Sequence, residues 1–194
     1  PQAHLTSMFL PPDFFSQIDV RNTIYGIIAQ DANVDDVIVT PYYENEKIRK
    51  KVPPERARNL KLIPSIIDIS KGEFEAPSGL FPYFKLRNKI EAVLSAYDFI
   101  IFDTPPNLGF YTMNAMLASK YVIIPTQYEP LDLRGVKILI NDVINDLLSS
   151  IKHSVEVLGI LGNRPITTRR LTVSIRDEME RLWPGKLFPV DVPR

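Results

Sequence analysis

The chain has 194 residues, 45% of them hydrophobic and 24% charged, which suits one soluble globular domain with a sizeable core and excludes a disordered or coiled-coil chain. Its 23 basic and 23 acidic side chains cancel, so no whole-molecule field draws it to nucleic acid or anionic lipid, and such a contact has to come from a local patch. With no cysteine, the sequence holds no disulfide scaffold, thiolate metal site or cysteine nucleophile, which fits a reducing cytoplasm.

From the N-terminus, a first helix is expected at about 22–30, with Asn22 and Thr23 as its start signal. Val37-Ile38-Val39 and Leu60 to Ile63 are apolar runs short enough for strands. Between them, Pro41 to Asn59 is the least core-like stretch, holding EKIRKK and Pro53-Pro54; it reads as a solvated loop or short helix, or else as a basic contact surface. A helix at about 80–96 leads to Phe99–Phe102, four apolar residues that read as a strand buried on both faces. Further helices are expected at about 109–119 and 170–183, and strands at Tyr121 to Ile124, Val157 to Leu161 and Leu187 to Val190. The clearest helix runs from Leu131 to Ser150, where Leu133, Val136, Ile140, Val143, Ile144 and Leu147 recur at helical spacing and leave Arg134, Lys137, Asn141 and Asp142 outside. Strands alternating with helices predict an α/β fold, a mainly parallel doubly wound sheet flanked by helices, in a single domain over 1–194 without repeats or linkers.

Chemistry concentrates at YDFIIFDTPPN, residues 97–107. In parallel sheets ligands sit beyond the carboxyl ends of the strands, so Asp103 is placed either to hold magnesium, directly or through water, or simply to cap the following turn. The next residues, Thr104-Pro105-Pro106-Asn107-Leu108-Gly109, combine two fixed φ angles with a glycine pivot. Such a segment can swing as a unit or be an ordinary loop. His4 and His153 lie far apart in sequence and give no support for a histidine-based site.

The run YDFIIFDTPPNLGFYTMNAMLASKYVIIPTQYEPLDLRGVKIL closely resembles the ParA/Soj branch of the deviant Walker P-loop ATPases, the MinD/ParA superfamily. Pro1-Gln2 with HLTSMF, NLKLIPSIID at 59–68, VLGILGNRPITTRRL and LFPVDVPR resemble further family segments in the same order. The resemblance implies a P-loop NTPase-like fold, ATP and Mg2+ as ligands, and ATP hydrolysis. It implies that Asp103 is the Walker B aspartate supporting magnesium, beside Thr104, and that Pro105, Pro106, Asn107 and Gly109 belong to the switch that reports the γ-phosphate. It further implies that Asn163 reads adenine, unless it is a plain strand-end turn, and that Pro193 and Arg194 begin the loop lining the base.

By the same resemblance the protein is expected to act as an ATP-bound homodimer on nonspecific DNA, with a ParB-like or other partner stimulating hydrolysis, and to be cytoplasmic and nucleoid-associated. Arg164, Arg169 and Arg170 are candidate phosphate contacts, with Lys47, Arg49, Lys50 and Lys51 as a second set; Arg169-Arg170 read equally as an exposed helix start. These residues contain no glycine-rich loop ending in Gly-Lys-Ser/Thr. The family's loop, with its signature lysine, is expected before Pro1, the 194 residues then being an excerpt of a longer ATPase; a truncated relative is the other explanation. Two other functions compete: a non-catalytic ParA-like dimerisation or partner-binding module, and a MinD-like positioning ATPase at a membrane, although no membrane element is evident. The nitrogenase iron-protein branch needs cysteine ligands, which this chain lacks.

Overall fold

The computed structural model describes residues 4–11, 13–41, 59–66, 81–165 and 169–193. The chain forms two compact units, Pro1–Ala118 and Ser119–Arg194, each with an apolar core of its own.

The described residues of the first unit are mainly helical. It contains α1 (His4–Phe9), α2 (Phe14–Gln17), α3 (Ile24–Ala29), α4 (Val34–Val37), α5 (Lys85–Ile90) and α6 (Phe110–Ala118). Thr23 starts α3: its hydroxyl accepts from the Tyr25 amide at 3.2 Å and donates to the Val20 carbonyl at 2.7 Å, satisfying one amide that a helix N-terminus leaves open. The expected helix at 80–96 is present in three pieces, with tighter 3₁₀ turns at Phe81–Phe84 and Glu91–Ala96 on either side of α5. Ile27, Ile28, Val37, Leu86, Ile90, Val93, Phe110 and Tyr111 form the core. Phe110 meets Tyr83 and Tyr111 edge-on, with ring centroids 5.2 and 5.6 Å apart.

Three strand expectations in this unit, Val37–Val39, Leu60 to Ile63 and Phe99–Phe102, are corrected, since none of these segments is a strand. Val37 closes α4, whose first turn carries Asp35 and Asp36 at the end of the helix that favours acidic groups; only Val39 pairs, in a single antiparallel bridge to Leu62. Phe99–Phe102 joins no ladder among the described residues, and Phe99 and Ile101 are 86% and 88% exposed. Apolar, β-prone residues nominate a strand, but a strand exists only where a neighbour accepts its backbone bonds.

The second unit alternates strand and helix, as expected, except that Leu187 to Val190, expected as a strand, contributes only an isolated bridge at Leu187. Parallel strands β1 (Tyr121–Thr126) and β2 (Glu156–Gly162) pair from Tyr121 opposite Glu156 to Thr126 opposite Gly162, with an irregularity between Val122 and Ile123. Parallel neighbours need a long crossover. It is supplied by α7 (Pro130–Lys137), which continues as a wider helix with i→i+5 bonding over Ile138–Leu148. Proline at the first helical position suits the start of α7, since its missing N–H would be unpaired there anyway. After β2 comes α8 (Arg170–Leu182), and the chain then returns alongside β2, where Leu187 bridges Ile160 and Val192 bridges Asn163, both in parallel. Ile124, Tyr128, Val136, Ile140, Ile160, Ile175 and Met179 make up the core of this unit.

Candidate functional site

In the first unit, Asp103 and Thr104 are both exposed at the end of the extended segment that follows Tyr97. The double-proline loop is tied to α6 through Pro105 and closes on itself at Asn107. The Gly109 amide donates to Asn107 Oδ1 at 3.2 Å, and Thr112 Oγ1 on α6 donates to the Pro105 carbonyl at 3.3 Å. Helix α6 is a firm anchor, because Asn114, fully buried, donates to the Phe110 carbonyl at 3.1 Å and accepts from the Leu86 amide at 3.3 Å. Pro105 is therefore held by a packed helix, two residues after a carboxylate that stands in solvent.

A lone exposed carboxylate fits magnesium, which keeps several waters and is commonly bound by one or two carboxylates together with substrate phosphates. Among the described residues no group of three His, Cys, Asp or Glu side chains converges.

In the second unit, the carboxyl ends of β1 and β2 and the returning C-terminal segment meet at one corner. The Asn163 amide donates to the Thr126 carbonyl at 2.7 Å, the Val192 amide to the Gly162 carbonyl at 2.7 Å, and the Arg164 amide to the Val192 carbonyl at 2.8 Å. These bonds place Asn163 beside Val192, one residue before Pro193. Two of the residues expected at the base are thus brought to one strand edge, the location where parallel sheets take ligands. Arg164 leaves the corner with φ of 55°. It is exposed, as are Arg169 and Arg170 at the start of α8. Arg194, Pro1, Gln2, Lys47, Arg49, Lys50 and Lys51 lie outside the described residues.

Sequence reasoning passed over the corner's support. Asp132 Oδ2 accepts from the Gln127 amide at 2.7 Å, the Glu129 amide at 3.3 Å and Thr126 Oγ1 at 3.1 Å, and Thr126 Oγ1 in turn accepts from the Tyr128 amide at 3.0 Å. This turn holds Tyr128 at φ of 58° with its ring fully buried, and its hydroxyl donates to Asp191 Oδ1 at 3.0 Å. Burial and the Asp191 carboxylate push the Tyr128 hydroxyl up to about 12, against the opposing influence of the Arg176 guanidinium. The readable signal was Glu129–Asp132, two carboxylates at the N-cap and N3 positions of the helix that opens at Pro130, spaced as a capping box. Nothing in the local pattern paired Tyr128 with a residue 63 positions away.

A family model described as an AAA domain matches residues 8–157. The sporulation initiation inhibitor protein Soj of Bacillus subtilis is 30% identical over 176 residues, covering 91% of this chain and 64% of that protein. The chromosome partitioning protein ParA of Myxococcus xanthus is 29% identical over 170 residues, covering 87% of this chain and 59% of the relative. The chain thus spans about six tenths of the length of these relatives. Among solved structures, cobyrinic acid a,c-diamide synthase from Mycobacterium smegmatis, with bound ATP analog and magnesium, is similar with a TM-score of 0.76 at 20% identity, over 100% of this chain and 71% of that one. A plasmid partition protein from Borrelia burgdorferi is similar with a TM-score of 0.68 at 22% identity, over 95% and 70%. These likenesses show the α/β fold of the P-loop ATPases.

Proposed function

Because the chain belongs to the AAA-domain family and, within it, to the ParA/MinD-type P-loop ATPases, we propose that the protein hydrolyses ATP to position a cargo such as a plasmid or chromosome. The observation that carries this reading is the pairing of Asn163 with Val192 at the carboxyl ends of β1 and β2, which supports a base site formed by Asn163, Pro193 and Arg194. The partition relatives point to the cargo class.

In this reading the reaction is in-line transfer of the γ-phosphoryl group to water: the bond from the γ-phosphorus to its bridging oxygen breaks as water oxygen attacks, and ADP and phosphate leave. Asp103 holds magnesium directly or through a water, with Thr104 beside it. When bound, the ion neutralises charge on the phosphate oxygens. Pro105 and Pro106 keep the loop stiff, while the bond from Thr112 to the Pro105 carbonyl would pass a shift at the phosphate end to α6. That coupling would make the loop a switch for ATP-dependent homodimerisation.

The dimer would bind DNA without sequence preference, doubling a weak basic surface to which Arg164, Arg169 and Arg170 contribute. Such contacts release counterions and weaken steeply with salt. A ParB-like partner would speed hydrolysis and so release the dimer from the nucleoid in the cytoplasm.

The test is magnesium-dependent ATP turnover by the full-length protein and its Asp103→Ala variant, with dimer formation followed by light scattering with and without ATP. Loss of turnover in the variant is expected; unchanged turnover overturns the assignment. A folded protein with no affinity for ATP would favour the binding-module reading instead.

A further inference from the structure

We propose that the Tyr128 hydroxyl and the Asp191 carboxylate form a positioning clasp that sets where Val192 and Pro193 lie against Asn163, and thereby tunes affinity for the nucleotide base. The proposal rests on the base-site reading of the preceding subsection and adds residues that do not themselves touch the base.

Three elements meet at one hydroxyl. Tyr128 stands in the turn after β1, Asp191 in the segment returning along β2, and Arg176 on α8; the phenol donates to Asp191 at 3.0 Å, and the Arg176 charge acts on it in the opposite sense to the carboxylate. Each end of the clasp is itself fixed. Asp132 and Thr126 bind the backbone amides of residues 127–129, which holds Tyr128 in the left-handed region that non-glycine residues seldom adopt. At the other end the Asp191 carboxylate packs on Gly162, where a Cβ would lie 2.0 Å from Asp191 Oδ1 and 2.8 Å from Tyr128 Cε2. A side chain at position 162 would push the carboxylate away, so the absence of one is what lets Asp191 reach Tyr128.

The clasp lies directly behind the base-site backbone. Asp191 precedes Val192, whose amide donates to Gly162 and whose carbonyl accepts from Arg164. Packing alone would hold the tyrosine ring. The hydroxyl adds a directional bond to a buried position, and this bond fixes the neighbouring backbone rather than the core.

Tyr128→Phe keeps the ring and removes the bond. In the full-length protein, two readouts are taken: hydrogen exchange at the Val192 and Arg164 amides without nucleotide, and steady-state ATP hydrolysis. The expected result is exchange at both amides faster by roughly tenfold, and a KM for ATP raised by a similar factor with kcat unchanged, the scale of one hydrogen bond to a charged acceptor. Asp191→Asn, which keeps an acceptor oxygen, should restore most of the protection that Asp191→Ala loses.

Unchanged exchange in Tyr128→Phe overturns the clasp. Faster exchange with an unchanged KM overturns its role at the base site, as does a drop in kcat alone. Failure of the underlying reading is distinguishable, because it shows in the wild type, which would then fail to turn over ATP while its exchange pattern still reported the clasp. If Tyr128→Phe does not fold, the Asp191→Asn and Asp191→Ala pair gives the same comparison.

Discussion

Asp103 ends an extended segment whose side chains at Phe99 and Ile101 stand in solvent, whereas Asn163 ends a strand whose neighbours bond its backbone on both sides. The two positions carry similar sequence signals, an apolar run closing on a short polar residue. What separates them is pairing. Around Asn163 the Thr126, Gly162 and Val192 backbones supply partners within 2.8 Å, and the side chains behind them pack into a core. Hydrophobicity nominates a strand, and the ladder decides whether it exists.

The largest expected effect concerns the exposed end. Under the proposed magnesium role, Asp103→Ala should lower magnesium-dependent ATP turnover by roughly 100-fold or more while leaving the unfolding midpoint nearly unchanged, since the carboxylate is exposed and packs against no core. A large stability loss in a denaturant titration would break the contrast drawn above.

Core substitutions sharpen it. Ile160→Ala, at a fully buried position on β2, should cost about 2–5 kcal/mol in urea unfolding. Ile101→Ser, in an equally apolar stretch of sequence, should cost within about 0.5 kcal/mol. If the two costs were alike, the segment at 99–102 would be buried in the protein in solution.

The paired corner should also leave a signature in base. The Tyr128 hydroxyl is raised from 10.0 to about 12 in the fold, so the folded state retains that proton after the unfolded chain has lost it. Its stabilising contribution is therefore complete below pH 10 and is lost as pH rises from about 10 to 12. The unfolding free energy of the wild type should fall more steeply across that window than that of Tyr128→Phe, and parallel curves would remove the hydroxyl from the ledger.

A smaller effect belongs to the first unit. Thr23→Ala removes the cap of α3 and should cost about 1 kcal/mol, read from the shift in thermal midpoint.

The helices were the most legible part of the fold. The spacing from Leu133 to Leu147 predicted one long amphipathic element and the structure has one, but the widening to i→i+5 bonding after Lys137 leaves no mark in the periodicity. The strands at 121–126 and 156–162 were legible because each is apolar, short and separated from the other by a helix of crossover length. Val37 to Val39 was misread, since Asp35 and Asp36 favour a helical first turn more than the valines favour a strand. Of the candidate site, the motif residues could be named from resemblance; the Asn163–Val192 bridge, one residue before Pro193, was not foreseen. The Tyr128–Asp191 bond was not readable, because it depends on a three-dimensional return of the chain that composition and period do not encode.

The glycines of β2 have a mechanical consequence. A Cβ at Gly159 would strike the Phe188 ring at 2.6 Å, and one at Gly162 would strike Asp191, and positions three apart on a strand face opposite sides of the sheet. The returning segment thus has one side chain seated on each side of the strand, three residues apart like the notches that receive them. Sliding it by a single residue would bring both into collision at once. Under a pulling force along the strand it should resist until both seats fail together, giving one abrupt rupture rather than a gradual peel.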